Sequence, residues 1–209
     1  MIVEILDAKR EGHKSSGKFS ISSVDSCFRK KYFEMKGEYK EEFDAKTLRT
    51  FSIGDMFHQT VCKEIFEKGQ QHNIHVVAAE VNVPEQKYFS GRADIILSNS
   101  LTGEKFIVDV KSCGDWTFNN VLKGECPQNY QDQLQLYLHF FGIQKGYLVF
   151  VNKARSTVTE FEVVYDKAKC LTLVRDVENF FINNVDKNIA PGKCSGGDFG
   201  CPVCEGDLK

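Results

Sequence analysis

The sequence predicts an α/β fold with a mixed central sheet flanked by helices. Three observations carry this. Helical patterns occupy the first third of the chain, extended β-branched segments the middle, and strands and helices alternate towards the end. Two strand-length runs in the middle are joined by the turn-rich Ser98-Asn99-Ser100-Leu101-Thr102-Gly103. Of 209 residues, 42% are hydrophobic and 27% charged, a balance that suits a globular chain with a real core. No internal repeat or low-complexity linker divides it, so residues 1–209 read as a single domain with its core at about 48–183.

Taken in order, residues 8–18 are polar and glycine-containing and read as a mobile loop. Ser22 or Ser23 caps a first helix running to about Met35. A second helix covers about Leu48 to Lys68, with Ile53, Phe57, Val61 and Ile65 as its buried stripe. Ile74–Val83 is extended and ends at Pro84, and Tyr88–Leu97 and Lys105–Lys111 are two more strands. A helix from about Gln128 to Phe141 stops at Gly142. Lys145–Asn152 and Thr157–Tyr165 form a strand pair, and Lys167–Asn183 a closing helix. The last nineteen residues hold Pro191, five glycines and three cysteines, and are expected to be held by metal rather than by a core.

Composition excludes several classes. No run approaches the roughly eighteen apolar residues that span a bilayer. The first residues, Met-Ile-Val-Glu-Ile-Leu-Asp, carry acids within their short apolar run and do not read as a signal peptide, so a cytoplasmic setting is expected. A net charge of −2 excludes a bulk nucleic-acid coat protein; any DNA contact must be local or bridged by metal ions.

Without export, eight cysteines point to metal binding rather than to disulfides. Cys194, Cys201 and Cys204 form C-x6-C-x2-C near the C-terminus, three thiols for a site that wants four. If Cys27, in Ser-Cys-Phe-Arg-Lys-Lys-Tyr, is the fourth, the metal ties the two ends of the chain together. Thiol count alone leaves zinc and iron–sulfur open. Cys62, Cys113, Cys126 and Cys170 are spread singly and read as ordinary thiols, with Cys113 the one to check as a substitute ligand.

The central hairpin carries the chemistry. Alternate strand residues share a face, so Asp109 and Lys111 point one way, and Phe106, Val108 and Val110 point the other, into the core. Antiparallel pairing lets Asp94 reach the Asp109 face, where two carboxylates suit a hard divalent cation. The neighbouring ammonium can orient water or stabilise charge growing on a phosphate. An exposed salt bridge is the bland alternative for these residues alone. His58 lies on the second helix in Gly54-Asp55-Met56-Phe57-His58; Gly54 leaves room beside the imidazole, which can complete the metal site. Gln133 and Tyr137 stand at i, i+4 on one helix face, able to hydrogen-bond phosphate oxygens, or equally a solvated amide and a core ring.

Gly54-x-x-x-His58, Gly91-x-x-Asp94, Asp109-x-Lys111-Ser112 and Gln133-x-x-x-Tyr137, in this order along most of the chain, resemble the PD-(D/E)XK nuclease superfamily and within it the RecB-like nucleases. Cys27-Phe28-Arg29-Lys30-Lys31-Tyr32 is similar to the opening helix of the iron–sulfur members: CRISPR-associated RecB-like exonucleases, the nuclease domain of AddB and exonuclease V-like proteins. The resemblance implies Mg²⁺ or Mn²⁺ at His58, Asp94 and Asp109, with the Val110 carbonyl as a further ligand. It implies that Lys111 helps activate the attacking water, and that Gln133 and Tyr137 position the DNA backbone. Arg29 and Lys30 are weaker candidates for phosphate contact, and Glu80 a weaker one for the site.

The same resemblance implies a [4Fe-4S] cluster on Cys27, Cys194, Cys201 and Cys204, in cluster-binding segments at about 20–36 and 190–209. The tail departs from the family's C-x2-C-x5-C, with the close pair last instead of first, which keeps structural Zn²⁺ as the alternative. The implied activity is a metal-dependent DNA exonuclease, acting on single-stranded DNA or DNA ends, in recombination, repair or CRISPR spacer acquisition. CRISPR-adaptation or recombination proteins are the implied partners. A catalytically weak DNA-end-binding module and a structure- or site-specific endonuclease are the rivals.

Overall fold

The structure, a computed structural model, describes residues 17–194 and 201–206. The readings of Met1–Asp7 and of most of the 8–18 loop, and of tail residues 195–200 and 207–209, lie outside the described residues. The described elements are β1 (Phe19–Ser20), α1 (Phe28–Lys36), α2 (Ala45–Lys68), β2 (Ile74–Asn82), β3 (Phe89–Ser90), β4 (Arg92–Asn99), β5 (Lys105–Cys113), α3 (Asp115–Leu122), α4 (Gln128–Phe141), β6 (Lys145–Asn152), β7 (Val158–Val164), α5 (Lys167–Phe180) and α6 (Pro202–Glu205).

Five strands form a mixed sheet in the order β2-β4-β5-β6-β7. Within this sheet β5 and β6 pair parallel and the other neighbours antiparallel, with Asp109 opposite Leu148 and Lys111 opposite Phe150. That pairing needs a crossover, which α3 and α4 supply. Helices cover both faces. On one, Leu134, Leu136 and Leu138 of α4 and Val177 and Phe180 of α5 pack with Ile107, Leu148 and Phe150. On the other, Phe57, Val61 and Ile65 of α2 pack on Ile95, Leu97, Val108, Val110 and Val151. The α/β architecture is as expected.

Four local expectations are corrected. Ser22 and Ser23 do not cap a helix: Ile21–Ser23 is a single 3₁₀ turn, and α1 begins at Phe28 with Cys27 in the capping position. The α2 stripe holds from Phe57 onward, but Ile53 is exposed, because i, i+4 steps of about 400° drift about 40° each around the helix and carry it off the packed face. Phe106, Val108 and Val110 join the smaller cluster beneath α2, and the larger core lies on the Asp109 face, because the sheet is sandwiched rather than half-solvated. The tail is not held by metal alone: Val203 is 0% exposed and packs in the main core with Cys201 and Cys204.

Candidate active site

The ladder between β4 and β5 runs from Ser98↔Lys105 to Ile95↔Val108. One residue further along that register Asp94 would face Asp109. Instead the Asp94 carboxylate takes the place of the next backbone acceptor: Val110 N–H donates to its Oδ2 at 2.8 Å. Asp94 is thereby fixed at the mouth of a cleft of about 770 Å³. Asp94, Asp109, Lys111, His58, Glu80 and Gln133 all line that cleft, as does Val110.

Asp109 is 2% exposed. Burial raises its carboxyl pKa against the opposing pull of the Lys111 ammonium. Lys111 Nζ lies 2.6 Å from Asp109 Oδ2. That approach is a buried, charge-assisted pair. For Lys111, burial works against the charged form, but Asp109 outweighs it and the pKa is raised, so the ammonium persists. Gln133 ties the pair together: its Oε1 accepts from Lys111 Nζ at 2.9 Å and its Nε2 donates to Asp109 Oδ1 at 3.4 Å.

His58 Nε2 lies 3.1 Å from Asp94 Oδ2 and 3.5 Å from Glu80 Oε1. The bond to Asp94, then that to Cys62, raises the imidazole pKa to about 10. Glu80 is held in left-handed backbone, φ +51°, and pairs with Arg92 at 2.7 Å. Atoms of His58, Glu80 and Asp94 lie within 4.8 Å of one another. Asp109 is outside this close group but lines the same cleft. One imidazole and three carboxylates, that of Asp109 buried, form a donor set that fits Mg²⁺ or Mn²⁺.

Sequence motifs and structure diverge at several residues. Gly54 makes room for Ser112 rather than for the imidazole: a Cβ there would meet Ser112 Oγ at 3.1 Å. Tyr137 is 2% exposed and sits behind Gln133, packed against Gly91, where a Cβ would meet its ring at 3.1 Å. Burial raises its phenol pKa to about 12. Arg29 and Lys30 are engaged within the molecule, Arg29 Nη1 with the Pro191 carbonyl at 2.8 Å and Lys30 with Glu41 at 2.7 Å. Cys62 is no isolated thiol, with its Sγ 3.7 Å from His58 Nε2.

Tyr130, Lys153 and Phe51 line the cleft without having been singled out. Tyr130, three residues before Gln133 on the same helix face, holds its ring 4.9 Å from Lys111 Nζ and was recoverable from spacing. Lys153 arrives through the parallel β5–β6 pairing, where its N–H donates to the Cys113 carbonyl at 2.9 Å, and no motif marks it.

The second site lies at the chain ends. Sulfurs of Cys27, Cys194, Cys201 and Cys204 lie within 4.8 Å of one another. Cys27 and Cys204 are 3.6 Å apart, and Cys194 N–H approaches Cys204 Sγ at 3.3 Å. Burial pushes the Cys27 thiol up to about 12 and also raises Cys204. Four thiols so close form a tetrathiolate cage; a single tetrahedral ion with ~2.3 Å bonds sets sulfurs about 3.8 Å apart. A four-iron cube needs the same thiols further apart. Cys113 is not part of this group and is buried in the core.

No family model matches the chain. Over 186 residues it is 28% identical to the CRISPR-associated exonuclease Cas4 of Saccharolobus solfataricus, covering 84% of this chain and 86% of that protein. An alkaline exonuclease from Laribacter hongkongensis superposes with a TM-score of 0.60 at 16% identity, covering 82% of this chain and 89% of that one. A phage-related exonuclease from Haemophilus somnus gives 0.54 at 14% identity, covering 90% and 100%. The resemblance to RecB-like PD-(D/E)XK nucleases is borne out in sequence and in fold. Among the described residues, no helix is long and apolar enough to cross a membrane.

Proposed function

We propose that the chain is a Mg²⁺- or Mn²⁺-dependent DNA exonuclease, hydrolysing phosphodiester bonds of single-stranded DNA or DNA ends to leave a 5′-phosphate and a 3′-hydroxyl. The observation that carries this reading is the gathering of Asp109, a buried carboxylate paired with Lys111, with His58, Glu80 and Asp94 on the walls of one cleft. The exonuclease names of all three relatives support it. The likeness to Cas4 supports a role in processing ends for recombination or spacer capture, alongside CRISPR-adaptation or recombination proteins.

His58, Asp94 and Asp109 would hold the cation, with Glu80 beside His58 and Asp94 as a further candidate. A divalent ion there supplies positive charge that polarises the phosphate and eases deprotonation of water. The protein's own groups do the rest. Lys111, kept charged by Asp109 and aimed by Gln133, orients the attacking water and stabilises charge growing on the phosphate oxygens. Gln133 fixes both rotamers of the Asp109–Lys111 pair and reaches the cleft to meet the DNA backbone. Tyr137 acts from behind, bracing Gln133. The four thiols would hold a [4Fe-4S] cluster, as the resemblance implies. Their close spacing supports zinc as a second reading, and visible absorbance with iron content, against one equivalent of colourless zinc, separates the two.

Digestion of end-labelled strands with Mg²⁺ or Mn²⁺ tests the activity. Asp109→Asn, which keeps the side-chain shape, is expected to slow hydrolysis by at least ~10²–10³-fold. If the unaltered protein degrades nothing, the DNA-end-binding reading replaces this one. Cleavage of a closed single-stranded circle would make it an endonuclease.

A further inference from the structure

The cleft contains one feature that metal-dependent hydrolysis leaves unused. Phe51 lines it and is 48% exposed, an apolar ring among carboxylates and ammonium groups. It lies on the same stripe of α2 as Asp55, His58 and Cys62, at i, i+4, i+7 and i+11, so the helix presents ring and imidazole to the same space. Seven residues separate Phe51 from His58, about 10 Å along the axis. Stacked nucleotides advance ~3.4 Å each, so the ring stands within about three nucleotides of the candidate metal site, fewer for a stretched strand.

The ring is also braced. Phe43, 42% exposed, meets Phe51 edge-on with centroids 5.1 Å apart and an interplanar angle of 81°. An edge-to-face partner at a ring's side restrains the ring while leaving a face open. Two large aromatics held half-exposed beside a polar cleft are poor solubility design, and their cost is offset if a flat apolar partner covers them. The cleft's charges say what that partner carries. Lys153, whose ammonium makes no ion pair among the described residues, lines the same cleft and suits a phosphate.

We infer that Phe51, braced by Phe43, is a stacking platform for an unpaired nucleobase beside the scissile phosphate, and that it makes the site select single strands and frayed ends over paired duplex. This rests on the nuclease reading for its substrate. A base within a duplex already has both faces covered by its neighbours, whereas an unpaired base offers a free face to the ring. Because every base has such a face, the platform adds affinity without choosing sequence.

The test is binding of a fluorescein-labelled oligothymidine of about 15 nucleotides to the full chain, with EDTA present to prevent hydrolysis. Phe51→Ala is expected to weaken binding about 5- to 150-fold, the ~1–3 kcal/mol of one stacked base, with Tm unchanged. Phe51→Trp should restore it, blunt duplex should lose less than about twofold, and an abasic strand should bind the wild type and Phe51→Ala alike. Equal losses on ordinary and abasic strands, or failure of Phe51→Trp to restore binding, would overturn the inference, as would a change in oligomeric state with DNA binding intact. Hydrolysis of the same oligothymidine by the unaltered protein with Mn²⁺ is scored separately. Phe51-dependent binding without hydrolysis keeps the platform and removes the nuclease reading; hydrolysis with Phe51-independent binding does the reverse.

Discussion

In the cleft, each candidate ligand is already balanced by another side chain: Asp109 by Lys111, Asp94 by His58 and the Val110 N–H, Glu80 by Arg92. At the chain ends, four thiols face one another instead, and burial raises the pKa of Cys27 and Cys204. The two metal-ready regions therefore carry their ions differently. The cleft holds its shape through internal pairs on sheet and helix, and a cation has to displace protons and ion pairs from a standing site. Beyond the core packing of Val203, Cys201 and Cys204, the thiols of that corner meet one another, so a metal there adds cohesion directly. Cohesion is not wholly absent without it, since Tyr32 donates to Asn188 Oδ1 at 3.2 Å and Arg29 to the Pro191 carbonyl.

The largest effect expected from this contrast belongs to Cys204→Ser. Removing one of four thiolates should empty the corner, and a loss of even ~4 kcal/mol of metal linkage lowers the Tm of a chain this size by roughly 8–16 °C. Hydrolysis per folded molecule at a temperature well below that Tm should stay within a few-fold of the parent. Differential scanning calorimetry with metal analysis and the digestion assay measures both. An equally steep fall in hydrolysis and stability would mean that the two regions act as one.

A smaller effect tests the internal pairing of the cleft in metal-free protein. The His58 pKa stands at about 10 in the folded chain, chiefly through its bond to Asp94, against about 6.5 when unfolded. A raised pKa stabilises the fold fully below the unfolded value, and the contribution is lost as pH rises through about 10. The stability gap between the parent and His58→Gln, followed by urea unfolding in EDTA, should accordingly be widest at acid pH and close between pH 6.5 and 10. A gap that widens towards alkaline pH would show that His58 is held neutral, with the cleft unpaired like the thiol corner.

How far the sequence disclosed each region follows from what joins the pieces. The α4 boundaries were legible because Gly142, at φ +66°, closes the helix with left-handed backbone that glycine adopts freely. Asp109 and Lys111 were legible because strand alternation is strict. The start of α1 was not, because two serines that look like caps belong to a 3₁₀ turn. Neither was α3, eight residues that follow Gly114 directly after a strand. Lys153 and Phe51 enter the cleft through a parallel pairing and through the docking of α2 beside β5, contacts that no local spacing encodes. At the thiol corner, counting picked out the four cysteines that the structure brings together, yet the packing of Val203 among them is a tertiary fact.

Gly54→Ala should give the smallest effect and probes how tightly the cleft is built. The added Cβ would stand 3.1 Å from Ser112 Oγ, a hydroxyl that can rotate aside. Alanine in a helix interior gains about 0.8–1.0 kcal/mol over glycine, which offsets that crowding. Stability should therefore change by less than ~1 kcal/mol, a Tm shift within roughly 2–4 °C. Gly54→Val is different, because its branched methyl groups cannot all turn away from β5. They push α2 off the strand, and His58, one turn further along α2, moves with it. The 3.1 Å approach of His58 to Asp94 then opens, and hydrolysis should fall by more than ~10²-fold while Tm drops only modestly. Equal hydrolysis by the valine and alanine variants would mean that the close approach of α2 to β5 does not set the position of His58.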